Sequence, residues 1–573
     1  GSTITRPKKL ACRAATPASR RRASSHVGRW ALSSALARTM SHMMQPSIIL
    51  LKDGTDQSQG RGQVLSNINA CLAVVDSVST TLGPRGMDKI LHSASSGELQ
   101  VTNDGATILG EMHVENQVAK LLVELSRSQD DEIGDGTTSV VVLAGALLAE
   151  AEALLDKGVH PIKVAQAYDE ACAVACEHLR SIAERLEWSR DEPDVLVRCA
   201  ATALNSKIVN RNTDALARMC VDAVLAVADL ERRDVNLDLI KVEGKAGGRL
   251  EDTRLVHGIV LDKEWSHPQM PKELTDARIC LTIQPFEPPK PKTKHGLCVS
   301  SVEQYDEVVA MERAYFEKMV ADVKAGGANV VLCQWGFDDE ANHLLLQHEL
   351  PAVRWVGGGE MELIAIATGA QIVARFDETR PERLGHCGRI HEVPLGTTNR
   401  RMLVLEQCKN TRAVTLLVRG SNKMVVAEAR RAVHDALCVV RNLVRDDTIV
   451  YGGGSADISC ALAVSAAADR IAGVAQHGVR AFADALEAVP AALAENSGLS
   501  AIDTLAALRS RQLAEKNPRL GVDCLDAGTN DMREQRVFDT LVGKLQQIKL
   551  ATQLCKMILK IDATITGAAP PQH

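Results

Sequence analysis

Four short segments carry the residue types that chemistry on a phosphate needs. Gly134-Asp135-Gly136-Thr137-Thr138-Ser139 places two glycines and an acid before three hydroxyls, where an apolar helical pattern begins. Glycines let a backbone approach an anion, and the unpaired N–H groups and dipole of a helix's first turn favour phosphate. Asp135 would offer a hard oxygen to magnesium while phosphate completes the metal's shell. The competing reading of this hexapeptide is an Asp-Gly turn with a threonine N-cap. Gly83-Pro84-Arg85-Gly86 is a second stretch of accessible backbone, although by itself it reads as a helix stop. No Walker A pattern occurs in the chain. Asn103-Asp104-Gly105-Ala106-Thr107 sets a carboxylate at a strand end, and alone it reads as a hairpin turn. His434-Asp435 lies within a helical pattern, where an acid is ordinarily a solvated charge. Tyr451-Gly452-Gly453-Gly454-Ser455 precedes another helix, and could let a ribose or base lie flat against bare backbone or simply form a flexible loop.

The elements that must position these residues follow from apolar spacing. A short strand is expected at Ile48–Leu51. Val64, Leu65, Ile68, Leu72, Val75 and Val78 recur at helical spacing, and Leu99–Thr102 alternates like a strand. Helices are expected over Val118–Leu125 and from Thr137 to Lys157, the latter closed by Gly158 and Pro161. From about Ile240 to Val404 the chain changes to short strands and helices. Strands are expected at Val330–Cys333, Ala352–Val356, Ile372–Ala374 and Val414–Val418, with helices at Glu360–Gly369 and Val302–Lys324. Phe286–Lys294 interleaves prolines with lysines, which suits an exposed extended segment. Beyond Val418 the pattern is helical and alanine-rich to Lys560. The plan is therefore helical outer thirds around an α/β middle, with no internal repeat.

Composition narrows the class. At 573 residues the chain has room for three or four domains, and 45% apolar with 24% charged residues is an ordinary globular balance. Aromatics are only 3%, so aliphatic residues must fill the cores. The apolar run Val140–Leu148 is too short to cross a membrane, and no membrane partner is expected. Residues 1–52 hold ten Lys/Arg and no acid, which leaves 56 basic against 72 acidic residues in the remainder, or −16. A body that acidic lacks the electrostatic footprint of a nucleic-acid binder. Residues 1–45 match an organellar leader in composition, and the competing reading, preferred here, is a disordered basic extension. The fifteen cysteines contain no C-x-x-C pair, and are read as buried free thiols of a reducing compartment.

No single segment decides the function; their joint order does. Thr81–Lys89, Val101–Leu109, Gly134–Ser139 and Tyr451–Ile458 resemble, in order and spacing, the ATP-site motifs of group II chaperonins. Trp265–Pro271, Phe286–His295 and Gln334–Leu345 extend the resemblance through the middle of the chain, and are similar to the eukaryotic cytosolic branch, TRiC. The likeness covers about residues 46–565. It implies a mixed α/β multidomain fold: a mainly helical equatorial domain (46–184 and 433–565), a small α/β intermediate domain (185–249 and 400–432), and an α/β apical domain (250–399). The apical domain would carry a lid-forming helical protrusion near 286–320, and residues 566–573 would be a disordered tail.

The resemblance also implies site roles. Asp135 would ligate Mg2+, with Gly136, Thr137, Thr138 and Ser139 around the phosphates of ATP or ADP, and Gly83, Pro84 and Gly105 in the same pocket. Asp104 and Asp435 would position and activate the attacking water. Gly453, Asp523 and Asp539 would contact ribose and adenine, and Ser206 and Lys207 would sense the nucleotide. The expected activity is ATP hydrolysis that drives lid closure around non-native proteins such as actin and tubulin. The expected setting is a cytoplasmic, hetero-oligomeric double ring of paralogous subunits. The alternative is a mainly structural ring subunit that binds nucleotide with little turnover.

Overall fold

The computed structural model describes residues 60–563 except 93–98, 191, 206, 208, 210–211, 289–295, 297 and 396–399. The expected strand at 48–51, the basic extension, most of the proline-lysine segment, Ser206 and the C-terminal tail lie outside the described residues. The described fold is 54% helix and 17% strand, the mixed α/β class.

Three large apolar cores organise the described residues. The first joins residues from Val64 to Leu179 with residues from Val450 to Leu559, so both ends of the chain build it. At its centre runs the helix Thr137–Asp156, packed against the helices Arg61–Ser79, Lys120–Glu132, Ala475–Leu486 and Leu541–Ile558. This helix is longer and more apolar than the run Val140–Leu148 suggested, and by length and composition it could cross a membrane. Its fully buried Val140, Val141, Leu147, Leu148 and Ala151 instead face partners on several sides, as a helix apolar all round must. Tyr168 adds one buried polar group, whose hydroxyl donates to the Leu147 carbonyl at 2.9 Å.

The second core, from Ile259 to Ala413, lies on a seven-stranded mixed sheet. Its spatial order is Gly258–Leu261, Arg401–Cys408, Gly385–Pro394, Glu273–Thr282, Val330–Cys333 and Ala352–Val353. Ile372–Val373 continues the edge of Glu273–Thr282 beyond Gly385–Pro394. The strand expected over Ala352–Val356 stops at Val353, and Trp355 takes a positive φ of 60° that no strand allows. The charged helix forms over Val302–Ala325 and buries only Phe316, Met319, Val320 and Val323, all in its second half.

The third core joins the helices Asp194–Leu204 and Thr213–Val227 to a three-stranded sheet and the helix Lys423–Arg445. In that sheet Val414–Gly420 pairs in parallel with Ile240–Ala246 and antiparallel with Arg254–Val256. Lys423–Arg445 is one uninterrupted helix across the expected boundary at 432/433, and its apolar residues as far as Val444 belong to this core. A further small sheet escaped the sequence reading: Thr448–Tyr451 pairs with Phe538–Thr540 and Glu184–Arg185.

Candidate nucleotide site

The segments singled out by residue type meet at one cleft, whose empty space, measured out to its open mouth, is about 1150 Å3. Its lining includes Gly83, Pro84, Asp104, Asp135, Gly136, Thr137, Thr138, Ser139, Lys207, Asp435, Gly453 and Asp539. Two of the described candidates are not on the lining. Gly105 sits behind it, where a Cβ would come 2.6 Å from the Thr138 hydroxyl, so only glycine lets these two loops pack this closely. Asp523 is a neighbour of the lining residues Val522 and Cys524, but its carboxylate accepts from the Ala527 and Gly528 amides at 3.0 and 2.9 Å. That turn lies beside the cleft.

Local backbone chemistry explains the arrangement. Gly136 caps the helix Thr137–Asp156 in the left-handed region, with φ 75° and ψ 22°, which an L side chain adopts only with strain. The turn leaves Thr137 to Ser139 on the helix's first turn, and all three residues line the cleft. Asp135 Oδ1 accepts from the Gly136 amide at 2.7 Å, and the Asp135 carbonyl accepts from Gln129 at 2.9 Å. Asn103-Asp104-Gly105 is not a hairpin turn. The hairpin partner of Leu99–Thr102 is Lys89–His92, and Asp104 is instead the N-cap of the helix Gly105–Glu111. Its Oδ2 accepts from the Thr107 amide and hydroxyl at 3.1 and 2.7 Å, while Oδ1 accepts from the Thr137 hydroxyl at 3.2 Å.

Asp435 is not a solvated charge. It is buried on the helix Lys423–Arg445, and its Oδ2 meets Lys207 Nζ at 2.6 Å. Burial, with Asp104 and Asp135 nearby, pushes the Asp435 carboxyl well above its usual range against the opposing pull of Lys207. Burial acts the same way on Asp104, but the Lys207 charge and the bonds from Thr107 and Thr137 outweigh it and hold that carboxyl below its usual range. Burial alone would discharge Lys207, yet Asp435 and Asp104 hold it charged. The two acids on the cleft therefore have opposed proton affinities, set by their surroundings.

The residues fit a magnesium–nucleotide. Among the described residues no three His, Cys, Asp or Glu side chains gather to hold a metal unaided. Burial and the nearby Asp539 push the Asp135 carboxyl up to about 6, a cost that a cation beside it would remove.

Two supporting residues carried no sequence signal. Lys544 lines the cleft and bridges Asp457 at 2.9 Å and Asp539 at 3.7 Å, fixing the carboxylate of Asp539. Asn496 Nδ2 donates to the Ser79 and Leu82 carbonyls at 3.0 and 2.8 Å, tying down the loop that runs into Gly83-Pro84. No motif surrounds either residue, and only their tertiary partners reveal them. Asn496→Ala frees that loop, and the expected result is weaker nucleotide binding, by roughly ten-fold for about 1–1.5 kcal/mol of lost hydrogen bonding, with turnover at saturation nearly unchanged. Steady-state ATPase over a nucleotide series reads that split.

Comparison with known proteins agrees with this geometry. The TCP-1/cpn60 chaperonin family matches residues 74–568. T-complex protein 1 subunit epsilon of Encephalitozoon cuniculi is 48% identical over 518 residues, covering 89% of this chain and 96% of that protein. A thermosome subunit of Methanocaldococcus jannaschii is 41% identical over 520 residues (91% and 95% covered). One of Pyrococcus horikoshii is 39% identical over 531 residues (92% and 96% covered). With the match spanning both chain ends that build the cleft, the chain belongs to the TCP-1/cpn60 chaperonin family, the ATP-hydrolysing chaperone subunits of double-ring complexes.

Proposed function

We propose that this chain is an epsilon-type subunit of a cytosolic, hetero-oligomeric double ring, and that its own cleft hydrolyses magnesium-ATP to close a lid over non-native proteins. The observation that carries the reading is the convergence of Asp104, Asp135, Lys207 and Asp435 on one cleft from three separate parts of the chain. Asp135 would hold the magnesium ion, which supplies charge neutralisation on the phosphates when bound. Thr137, Thr138 and Ser139, with the amides of the same turn, would bind phosphate oxygens. Gly453 and the carboxylate of Asp539, braced by Lys544, would meet the nucleoside.

Water activation is divided between two acids. Asp104, held ionised, orients the attacking water, and Asp435, whose proton affinity is raised, accepts its proton. Lys207 Nζ donates to Asp435 Oδ2 at 2.6 Å. A γ-phosphate draws the lysine as a point charge and leaves the carboxylate for water. Asp435 and Lys207 belong to the part of the chain with the third core, whereas Asp104 and Asp135 belong to the part with the first. Hydrolysis is then gated by how those two bodies close. The three large cores suit a division into equatorial, intermediate and apical domains, but Arg401–Cys408 sits in the sheet of the second core and residues 433–444 in the third core, so the expected boundaries at 399/400 and 432/433 shift.

Native mass and subunit composition of the tagged endogenous protein, with and without ATP, test the assembly. The expected particle is many times heavier than one chain and contains related, non-identical partners. A monomer or a ring of identical chains would remove the hetero-oligomeric assignment and leave the cleft chemistry standing.

A further inference from the structure

We propose that Cys387 and Cys408 form an oxidative modification site that closes reversibly to an intramolecular disulfide in response to peroxide. The two are direct register partners on adjacent antiparallel strands, Gly385–Pro394 and Arg401–Cys408. Their Sγ atoms lie 3.9 Å apart, within hydrogen-bond contact for sulfur. Facing side chains on neighbouring strands have Cβ atoms near the separation a disulfide uses, so rotation of the side chains can close the remaining gap.

The surroundings divide the labour between the two sulfurs. Cys408 is partly open to solvent, on a surface groove lined by Val256, His257, Glu406 and Gln407. Cys387 is fully buried behind it. The contact donated by Cys408 favours a thiolate on Cys387, whereas the carbonyls of Arg389 and Glu406, at 3.2 and 3.0 Å, accept from the Cys387 thiol and favour its protonated form. The bond from Cys408 holds the Cys387 thiol below its usual range despite burial, while the same bond and burial push the Cys408 thiol up. A small oxidant therefore meets Cys408 first, and Cys387 is poised to resolve the product.

The steps balance. The Cys408 sulfur attacks one oxygen of hydrogen peroxide, the O–O bond breaks, and Cys408 sulfenic acid and one water result. The Cys387 thiolate attacks that sulfur, the S–O bond breaks, and the departing hydroxide takes a proton as a second water. Two thiols have lost two electrons and two protons, and the peroxide has become two waters. The raised proton affinity of Cys408 makes the first step slow, so the site answers to oxidative stress rather than to resting peroxide. Cellular dithiols reverse it by exchange.

The bond would brace a strained place. Between the two register pairs Cys387↔Cys408 and Arg389↔Glu406, Gln407 takes a positive φ of 56° opposite Gly388, where a Cβ would strike the Gln407 side chain. Cys408 also ends its strand, and Val414 begins the central strand of the three-stranded sheet. The cross-link would therefore fix the point where the chain leaves one sheet for the other.

The test uses the assembled complex, treated with hydrogen peroxide, alkylated and digested with trypsin without reduction. The expected product joins the peptide Leu384–Arg389 to the peptide Met402–Lys409, lighter by two hydrogens than the pair and lost on treatment with dithiothreitol. Recovery of both cysteines only as separately alkylated or separately over-oxidised peptides would overturn the proposal. In Cys387→Ser, dimedone trapping of Cys408 should rise well above wild type, because the resolving thiol is gone. Trapping no higher than wild type would overturn the assigned order.

Discussion

Asp104→Asn in this subunit alone is expected to lower its turnover at least about 10²-fold while nucleotide still binds, the loss typical of removing a positioned acid or base. The substitution is chosen because Asp104 also caps the helix Gly105–Glu111 through the Thr107 amide. Asparagine caps nearly as well as aspartate, so thermal stability should move by only a few tenths of a kcal/mol. What it removes is the charge that pairs electrostatically with Lys207 and that is proposed to orient water. Single-turnover hydrolysis in rings carrying one variant subunit type, read beside nucleotide occupancy, separates chemistry from binding. Unchanged hydrolysis and unchanged client release would sink the role of Asp104 and favour a mainly structural subunit.

Lys207→Met should produce the largest stability loss of any single change near the cleft, about 3–5 kcal/mol near neutral pH, because it strands the Asp435 carboxylate in a buried site. The side chains of Lys207 and Asp435 are only 7% and 12% exposed, so water replaces little of the lost partner. The loss should depend on pH in a defined direction. Asp435 has a folded-state proton affinity above its ordinary value of 3.8, and removing the lysine raises it further. The folded variant therefore binds a proton more tightly than the unfolded chain. The variant is least harmed below that ordinary value, and loses stability as pH rises through the raised one. Thermal melts of wild type and variant across mildly acid to neutral pH check the slope. Lys207→Met with Asp435→Leu should recover most of the stability but none of the turnover. A double variant as unstable as the single one would mean that packing, not the stranded charge, sets the cost.

Much of the cleft was legible in the chain because its parts are local motifs. Two glycines and three hydroxyls at a helix start have few other uses in combination, and Gly134–Ser139 forms that turn with Gly136 in the left-handed region. Strongly periodic stretches were legible for the same reason. Val302–Lys324 appears as Val302–Ala325, Val330–Cys333 matches to the residue, and the helix expected over Glu360–Gly369 runs from Gly358 to Thr368. Short elements were not. Thr448–Tyr451 and Phe538–Thr540 are brief segments in a helix-rich region, and only pairing with each other and with Glu184–Arg185 makes them a sheet.

By itself the sequence determined the helical outer thirds, the α/β middle, the glycine–hydroxyl turn at a helix start and the family resemblance, since each rests on spacing within a few turns or on motif order. Tertiary structure alone decided the states of the acids. Asp435 reads as an exposed helix charge until burial and Lys207, distant in sequence, change its proton affinity. Asp104 reads as a turn residue until it caps a helix and accepts from Thr137. Asp523 passes as a nucleoside contact until its carboxylate is seen bound to its own loop. Spacing along a chain specifies which backbone conformations form. Proton affinities and ion pairs depend on desolvation and on charges brought together across the fold.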